Sequence, residues 1–438
     1  MNILHKKTPL NFYTLIIVII TSSCSQPKET LSPISTSQPN SKTTITIIPS
    51  PTITSEPINP GGTIIYSDYK TVYLVDLQSL KTKSVFSTDG FLRTFISKDY
   101  IYINNRTSLE SSDAKLETFR MSVEGAYLEQ FEIADETKFP FSERINISPN
   151  ERYIAYYKNG KIVIVDTSTK TTQSIYAPPP HGFLSFAWAS DSNRIFIVDM
   201  IFHNAIGKHM RILQYSLDSQ KTTELLSDFP DPEFKWFIED SLWYWSPDSK
   251  YLLIKNHAGV HLFDTEKKSL KKISINHEST ANFTWSTNGK HLLVHERKGS
   301  EQIAFYIFDI ENSEAKDISD FAPIQYGFTC LWSPNGSMIL CESVDKHLYL
   351  IDLIKKVSRD IAWVDGLKYS DRSGTFLLWF FHPAWSSDSK YFSYLTMSNP
   401  SSTAYEQDFI LNIQSVETGA YLQIQIPREK EIEQIYWR

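Results

Sequence analysis

The chain alternates between short apolar stretches with a period of two and clusters of Ser, Pro, Asp, Asn and Gly. YLLI at 251–254, VHLFD at 260–264 and LYLID at 348–352 show the alternation, and SPDS, STNG and SPNG mark the breaks. A period of two puts successive side chains on opposite faces of a strand, so the pattern predicts an all-β chain of short antiparallel strands. The breaks carry residues that pre-set turn geometry or tolerate a left-handed backbone.

One ten-residue phrase recurs. WSPDSKYLLI at 245 returns as WASDSNRIFI at 188, WSTNGKHLLV at 285, WSPNGSMILC at 332 and WSSDSKYFSY at 385, with weaker copies lacking Trp near Ile96 and Ile147. Each copy reads as a strand ending in Trp, a three-residue loop, and a second strand. Gly289 and Gly336 supply the left-handed loop residue, and Ser192, Ser249 and Ser389 take that place elsewhere. A third strand then ends in Asp, at Asp76, Asp166, Asp264, Asp309 and Asp352, whose side chain can start the next turn; a fourth strand follows, such as Leu270 to Ile275.

Four antiparallel strands returning every few tens of residues predict a β-propeller. Residues 62–87 supply strands two, three and four of a blade without a first strand. EIEQIYWR at the C-terminus supplies a first strand with Trp437 at the anchor position. Joining the two closes the ring and removes an exposed edge. Seven internal anchors plus the shared blade predict eight blades, or seven if the unit near Ile96 is not one. Trp188, Trp245, Trp285, Trp332 and Trp385 are expected in the blade core, because they repeat at equivalent strand positions.

The repeat resembles the WD40-like propeller repeats of the TolB family, and the eight-blade count is similar to the propeller of dipeptidyl peptidase IV-like proteins. The resemblance covers residues 62–438 and implies a fold, since the shared residues make hairpins. Within this sequence no α/β domain precedes the repeats, as in TolB, and no hydrolase domain follows them, as in the peptidases.

The first 60 residues follow a different logic. Lys6 and Lys7, the apolar run Tyr13 to Ile20, and Thr21-Ser22-Ser23-Cys24 form an export signal. It resembles the signal and lipobox of a bacterial lipoprotein, which implies cleavage before Cys24 and a lipid on it; Thr21 stands where that box usually has Leu. Residues 24–60 are rich in Ser, Thr and Pro and cannot bury a core. They read as a tether reaching on the order of 100 Å. The expected organisation is a signal over 1–23, a tether over 24–60 and a propeller over 61–438, held on the extracytoplasmic face of a cell-envelope membrane.

A net charge of −7 with no basic block argues against nucleic acid. No G-x-S-x-G elbow, H-E-x-x-H helix, phosphate loop or paired C-x-x-C occurs, so no catalytic residue, metal or cofactor is assigned. His181, His203, His209 and His382 are scattered, and a metal or acid–base site requires that they converge. Cys330 and Cys341 flank one hairpin. A three-residue loop would set Cys330 against Leu340 and Cys341 against Thr329, turning the thiols to opposite faces and arguing against a disulfide.

The longer connections fall on one face of the expected ring: 134–144, 177–183, 228–240 and 361–378 between blades, and 200–209 and 396–408 within them. Loops on a rigid scaffold commonly carry binding. Phe234, Trp236, Phe237, His181, Trp363 and Tyr369, with Glu239 and Asp240, are the candidate contacts for a ligand or partner. Aromatic residues there suit a protein or peptide partner, a carbohydrate at the channel mouth, or packing of the loops themselves. The leading expectation is a monomeric, non-enzymatic scaffold or sensor in the envelope; carbohydrate or small-ligand binding, and a propeller-type hydrolase or lyase, stay open.

Overall fold

The phrase WSPDSKYLLI folds as a hairpin locked by its own side chains. In the computed structural model, Ser246 Oγ donates to Asp248 Oδ1 at 2.6 Å and accepts the Tyr251 amide at 2.9 Å. The Ser249 amide closes a turn on the Ser246 carbonyl at 2.8 Å. Ser249 sits at φ 55°, in the left-handed region, as do Ser192, Ser389, Gly289 and Gly336 at the equivalent places. The same Ser–Asx bracket recurs at Ser148/Asn150, Ser286/Asn288, Ser333/Asn335 and Ser386/Asp388.

The structure describes residues 58–106, 116–126, 128–131, 146–158, 160–177, 183–203, 207–230, 242–256, 259–273, 281–298, 302–322, 327–343, 347–363, 370–371, 374–375, 381–397, 409–426, 432 and 434–438. They form eight four-stranded antiparallel sheets and one short hairpin at Ser370–Asp371 and Gly374–Thr375. Blade 1 combines Thr63–Ser67, Thr71–Asp76 and Lys81–Ser87 with the C-terminal strand Gln434–Trp437. Blades 2 to 8 run consecutively from Phe91, Asn146, Phe183, Leu242, Asn282, Gly327 and Ala384. The third-strand aspartates act as expected: Asp264 Oδ1 accepts the amides of Glu266 and Lys267, and Asp352 Oδ1 those of Ile354 and Lys355.

Eight apolar clusters hold the blades together, each shared by two neighbours. Leu252 and Ile254 pack with Phe196 and Val198 of blade 4, whereas Leu253 packs with Leu292 and Val294 of blade 6. Alternation along one strand thus serves two different seams. The clusters link blades 1–2, 2–3, 3–4, 4–5, 5–6, 6–7, 7–8 and 8–1, which closes a ring. The fourth strands lie outermost, as the fully exposed Glu314–Asp317 shows.

The recurring Trp belongs to these seams. Trp188, Trp332 and Trp385 are buried, and Trp245 and Trp285 are half-buried against the clusters. Trp188 donates its indole N–H to the Asn146 carbonyl, Trp285 to Tyr244 and Trp332 to Thr284, always in the preceding blade. Where the residue just after the turn is tyrosine, it stacks on the Trp of the following blade, as Tyr153 does on Trp188, Tyr251 on Trp285 and Tyr391 on Trp437. One phrase therefore fastens a blade to both neighbours.

Ring closure follows the expected exchange of strands. Ile64 pairs with Trp437 and Tyr66 with Ile435, and Thr63 and Arg438 exchange backbone hydrogen bonds at 2.7 and 2.9 Å.

Two expectations are corrected. The repeat's loop holds four residues rather than three: the Ser333 amide bonds the Met338 carbonyl at 2.8 Å, because the Ser Oγ holds the Met338 amide and carries the bracket one residue further. Trp332 consequently faces Ile339 and Cys330 faces Cys341. A shift of one residue flips every side chain to the other face, so the two cysteines meet, and they form a disulfide. The stretch 200–209, expected as a loop, is largely strand, because Arg194–His203 and Gly207–Ser216 stay paired from Arg194↔Ser216 to His203↔Gly207.

Candidate functional site

The tight turns between first and second strands, and between third and fourth, occupy one end of the ring, and the strand ends from which the longer connections depart lie at the other. On the long-loop end, blade 4 stands out: its second, third and fourth strands are each 10 residues long. They carry the hairpin 200–210 and the strand end Phe229–Pro230 past the level at which neighbouring blades turn.

Of the candidate contacts, His181, Phe234, Trp236, Phe237, Glu239, Asp240 and Tyr369 lie outside the described residues, as does Cys24. Trp363 ends the outer strand of blade 7, opposite His347. His382 is half-buried, and the loss of solvent around it pulls its imidazole down to about 4. Among the described residues no group of three or more His, Cys, Asp or Glu is placed to hold a metal ion.

The first strands form the inner edge of each blade and surround the channel. Their described sequences are QIYW, FLRTFI, NI, FLSFAW, LWYW, NFTW, GFTCLW and AW. Exposed positions on them are Phe91, Arg93, Asn282, Thr329 and Leu331, with Phe91 and Leu331 open by 37% and 36%. Among the described residues of these strands no carboxylate, histidine or lysine occurs, and Arg93 is the one charged side chain. Among the described residues the inner strands thus expose two large apolar side chains, Phe91 and Leu331, beside the uncharged Asn282 and Thr329 and the charged Arg93.

Just behind it, the long-loop ends of the second strands carry a buried polar layer: Ser67, Asn104, Asn105, Asp199, His295, Glu296, Glu342 and Ser343. These residues tie one blade to the start of the next. Lys255 Nζ donates to the Ala281 carbonyl at 2.7 Å, and Glu342 Oε1 accepts the Phe381 amide at 3.2 Å, four residues before Trp285 and Trp385 respectively. Ser67 and Thr94 share a hydrogen bond of 3.0 Å across blades 1 and 2. Burial pushes the Glu342 carboxyl up to about 7, against the pull of the Phe381 and His382 amides. Burial and then the nearby Lys255 charge hold His295 down to about 4, and neither of its ring nitrogens makes a hydrogen bond.

Beneath the blade 4 extension, Asp199 is wholly buried and accepts Tyr176 Oη and Arg211 Nη2, each at 2.5 Å. Burial first, then the Asp199 carboxylate, raises the Tyr176 phenol well above its ordinary value. Asp199 faces Arg211 across the root of the extended hairpin, and Tyr176 is the last strand residue before the connection to blade 4. This cluster fixes the base of the extension to blade 3. The sequence reading passed over this layer, although IFIVD, LLVHE and MILCE each end an apolar run on an acid. At the opposite end of the ring a polar cleft of about 440 Å³ separates blades 3 and 4, lined by Asp166, Asp191 and Asp218 among others.

No family model matches the chain, and no curated protein matches it. Many solved structures do. The oligogalacturonate lyase of Vibrio parahaemolyticus is 12% identical over 85% of this chain and 100% of its own, with a TM-score of 0.51. Dipeptidyl peptidase 4 of Porphyromonas gingivalis is 11% identical over 85% of this chain and 59% of its own, at 0.56. A eukaryotic initiation factor is 16% identical over 89% and 92%, at 0.55. What they share with this chain is the propeller. At such identities the likeness establishes fold, in agreement with the resemblance drawn from the repeats.

Proposed function

We propose that the protein is an exported propeller, anchored through a lipid on Cys24, that binds a protein or peptide partner on its long-loop face without catalysing a reaction. The observation that carries this reading is the described part of the inner strands, where Phe91 and Leu331 are exposed and Arg93 is the one charged residue. Aromatic and apolar anchors with an Arg are the chemistry of interface centres. The groups that most often transfer protons in catalysis, His, Asp and Glu, do not occur on the described inner strands. The extended hairpin of blade 4 adds contact area beside the channel. Residues 58–62 join blade 1 at the tight-turn end, next to Arg438, which leaves the long-loop face clear of the tether's attachment.

Chemical crosslinking in envelope extract tests the reading. A partner is expected with the natural chain and lost with Phe91→Asp or Leu331→Asp, while Ile354→Asp, at an exposed turn, retains it. A partner retained by both channel variants would overturn the reading.

Arg93 favours one second reading. The likeness to an oligogalacturonate lyase spans that protein's whole length, and a guanidinium at the channel is suited to a uronate carboxylate. Binding or cleavage of acidic oligosaccharides, abolished by Arg93→Ala, would support this alternative over the first.

A further inference from the structure

The disulfide joins the two inner strands of blade 7. Cys330 and Cys341 are directly opposed in the ladder, with Cα atoms 4.1 Å apart, the spacing of a non-hydrogen-bonded pair. Both are buried, at 5% and 0% exposure, in the cluster that seals blade 7 against Leu293 and Phe305 of blade 6. Trp332, two residues from Cys330, reaches across the same seam to the Thr284 carbonyl.

The register of this hairpin decides whether its cysteines meet. A loop of three residues would set Cys330 against Leu340 and turn Cys341 away, whereas the loop of four sets the cysteines face to face. A shift of one residue would also change which side chains enter the seam.

We propose that the Cys330–Cys341 disulfide is an oxidative register lock, formed before blade 7 docks on blade 6, and that it commits this chain to folding in an oxidising compartment. The reaction converts two thiols into one S–S bond with loss of two protons and two electrons. The acceptor is a disulfide-bearing oxidant, whose own S–S bond is cleaved to two thiols through a mixed disulfide. Attack requires access to each sulfur in turn, and the closed seam denies it. Oxidation therefore precedes docking, and once docked the bond is shielded from reductants. The inference does not depend on what the long-loop face binds.

The test uses the full chain carrying Cys24→Ser, so that Cys330 and Cys341 are the thiols counted. Native protein is expected to take no maleimide label, and to resist millimolar dithiothreitol at least tenfold longer than protein opened in urea. Refolding from urea is expected to recover several-fold less native Trp fluorescence in dithiothreitol than in a glutathione redox buffer. A Cys330→Val/Cys341→Val chain, which keeps an apolar pair, is expected to refold equally in both buffers. Two reactive thiols in native protein exported to an oxidising compartment, native reduction as fast as in urea, or redox-independent refolding of the cysteine-containing chain would each overturn the proposal. If the Val/Val chain does not fold, labelling and native-state reduction still decide.

Discussion

The indole N–H of Trp385 donates to the carbonyl of Leu331 at 3.2 Å, crossing from blade 8 to blade 7. The bond is half-buried, and the ring beside it packs on Phe392 and Met338. Trp385→Phe keeps most of the packing and strands the carbonyl, and is expected to cost about 1–2 kcal/mol. Trp385→Ala adds a cavity, for about 3–5 kcal/mol. Urea unfolding of the two variants against the natural chain measures the difference.

Glu342 makes stability depend on pH. Its folded value of about 7 lies above the ordinary 4.5, so its contribution is fully present below about 4.5 and is lost as pH rises through about 7. Glu342→Gln keeps an acceptor for the Phe381 amide and removes the titration. Between pH 5 and pH 8 the natural chain is expected to lose on the order of 2–3 kcal/mol more than this variant, read as a shift in urea midpoint.

His295 acts in the opposite sense. Its value is depressed from 6.5 to about 4, so the neutral ring stabilises the fold above about 6.5, and that contribution is lost as pH falls through about 4. Because neither nitrogen is hydrogen-bonded, His295→Leu forfeits no polar partner. The variant is expected to be at least as stable as the natural chain at pH 7 and to melt several degrees higher at pH 4.5.

Asp199→Asn removes the charge that holds Arg211 and Tyr176 together. Breaking a buried pair in this way is expected to cost about 3 kcal/mol, whereas Tyr176→Phe, which removes one hydrogen bond, costs about 1 kcal/mol. Amide exchange is expected to accelerate first at 200–203 and 207–210, since these strands rise from the Asp199↔Arg211 pair. Uniform acceleration around the ring would show that the cluster does not serve the extension specifically.

Deleting residues 434–438 removes the inner strand of blade 1 and bares the edge of Thr63–Ser67. An unpaired apolar edge recruits other chains. Light scattering is expected to report oligomers from the truncated chain and a monomer from the natural one.

The fold was legible because its determinants are local and repeated. Trp437, standing at the anchor position before an absent turn, announced the strand that Ile64 needed, and the five third-strand aspartates marked where strands end. The loop length of blade 7 was not legible, because it depends on the Ser333 hydroxyl taking the Met338 amide, a competition the residue types alone leave undecided. The hairpin of blade 4 was hidden for a related reason. MIFHNAIGKHM lacks a strong turn dipeptide, and its continuation as strand follows from pairing begun at Arg194. The polar layer is not legible because Glu342 and His295 look like ordinary surface residues at strand ends; the Phe381 amide of the next blade encloses the first and Phe305 covers the second. Of the aromatic residues proposed for binding, Phe234, Trp236, Phe237 and Tyr369 lie outside the described residues and Trp363 ends a strand, and the exposed inner residues Phe91, Arg93 and Leu331 now stand beside them as candidates.

The closing sheet also has a mechanical consequence. Thr63–Ser67 is the first strand among the described residues, and it is flanked on one side by Thr71–Asp76 and on the other by Gln434–Trp437. Tension applied through residue 58 runs along this strand, so that both ladders bear the load at once, in shear, instead of parting one bond after another. Residues 434–437 thus serve as one jaw of a grip on 64–67, and a propeller pulled from residue 58 would be held at the seam where its ring is joined.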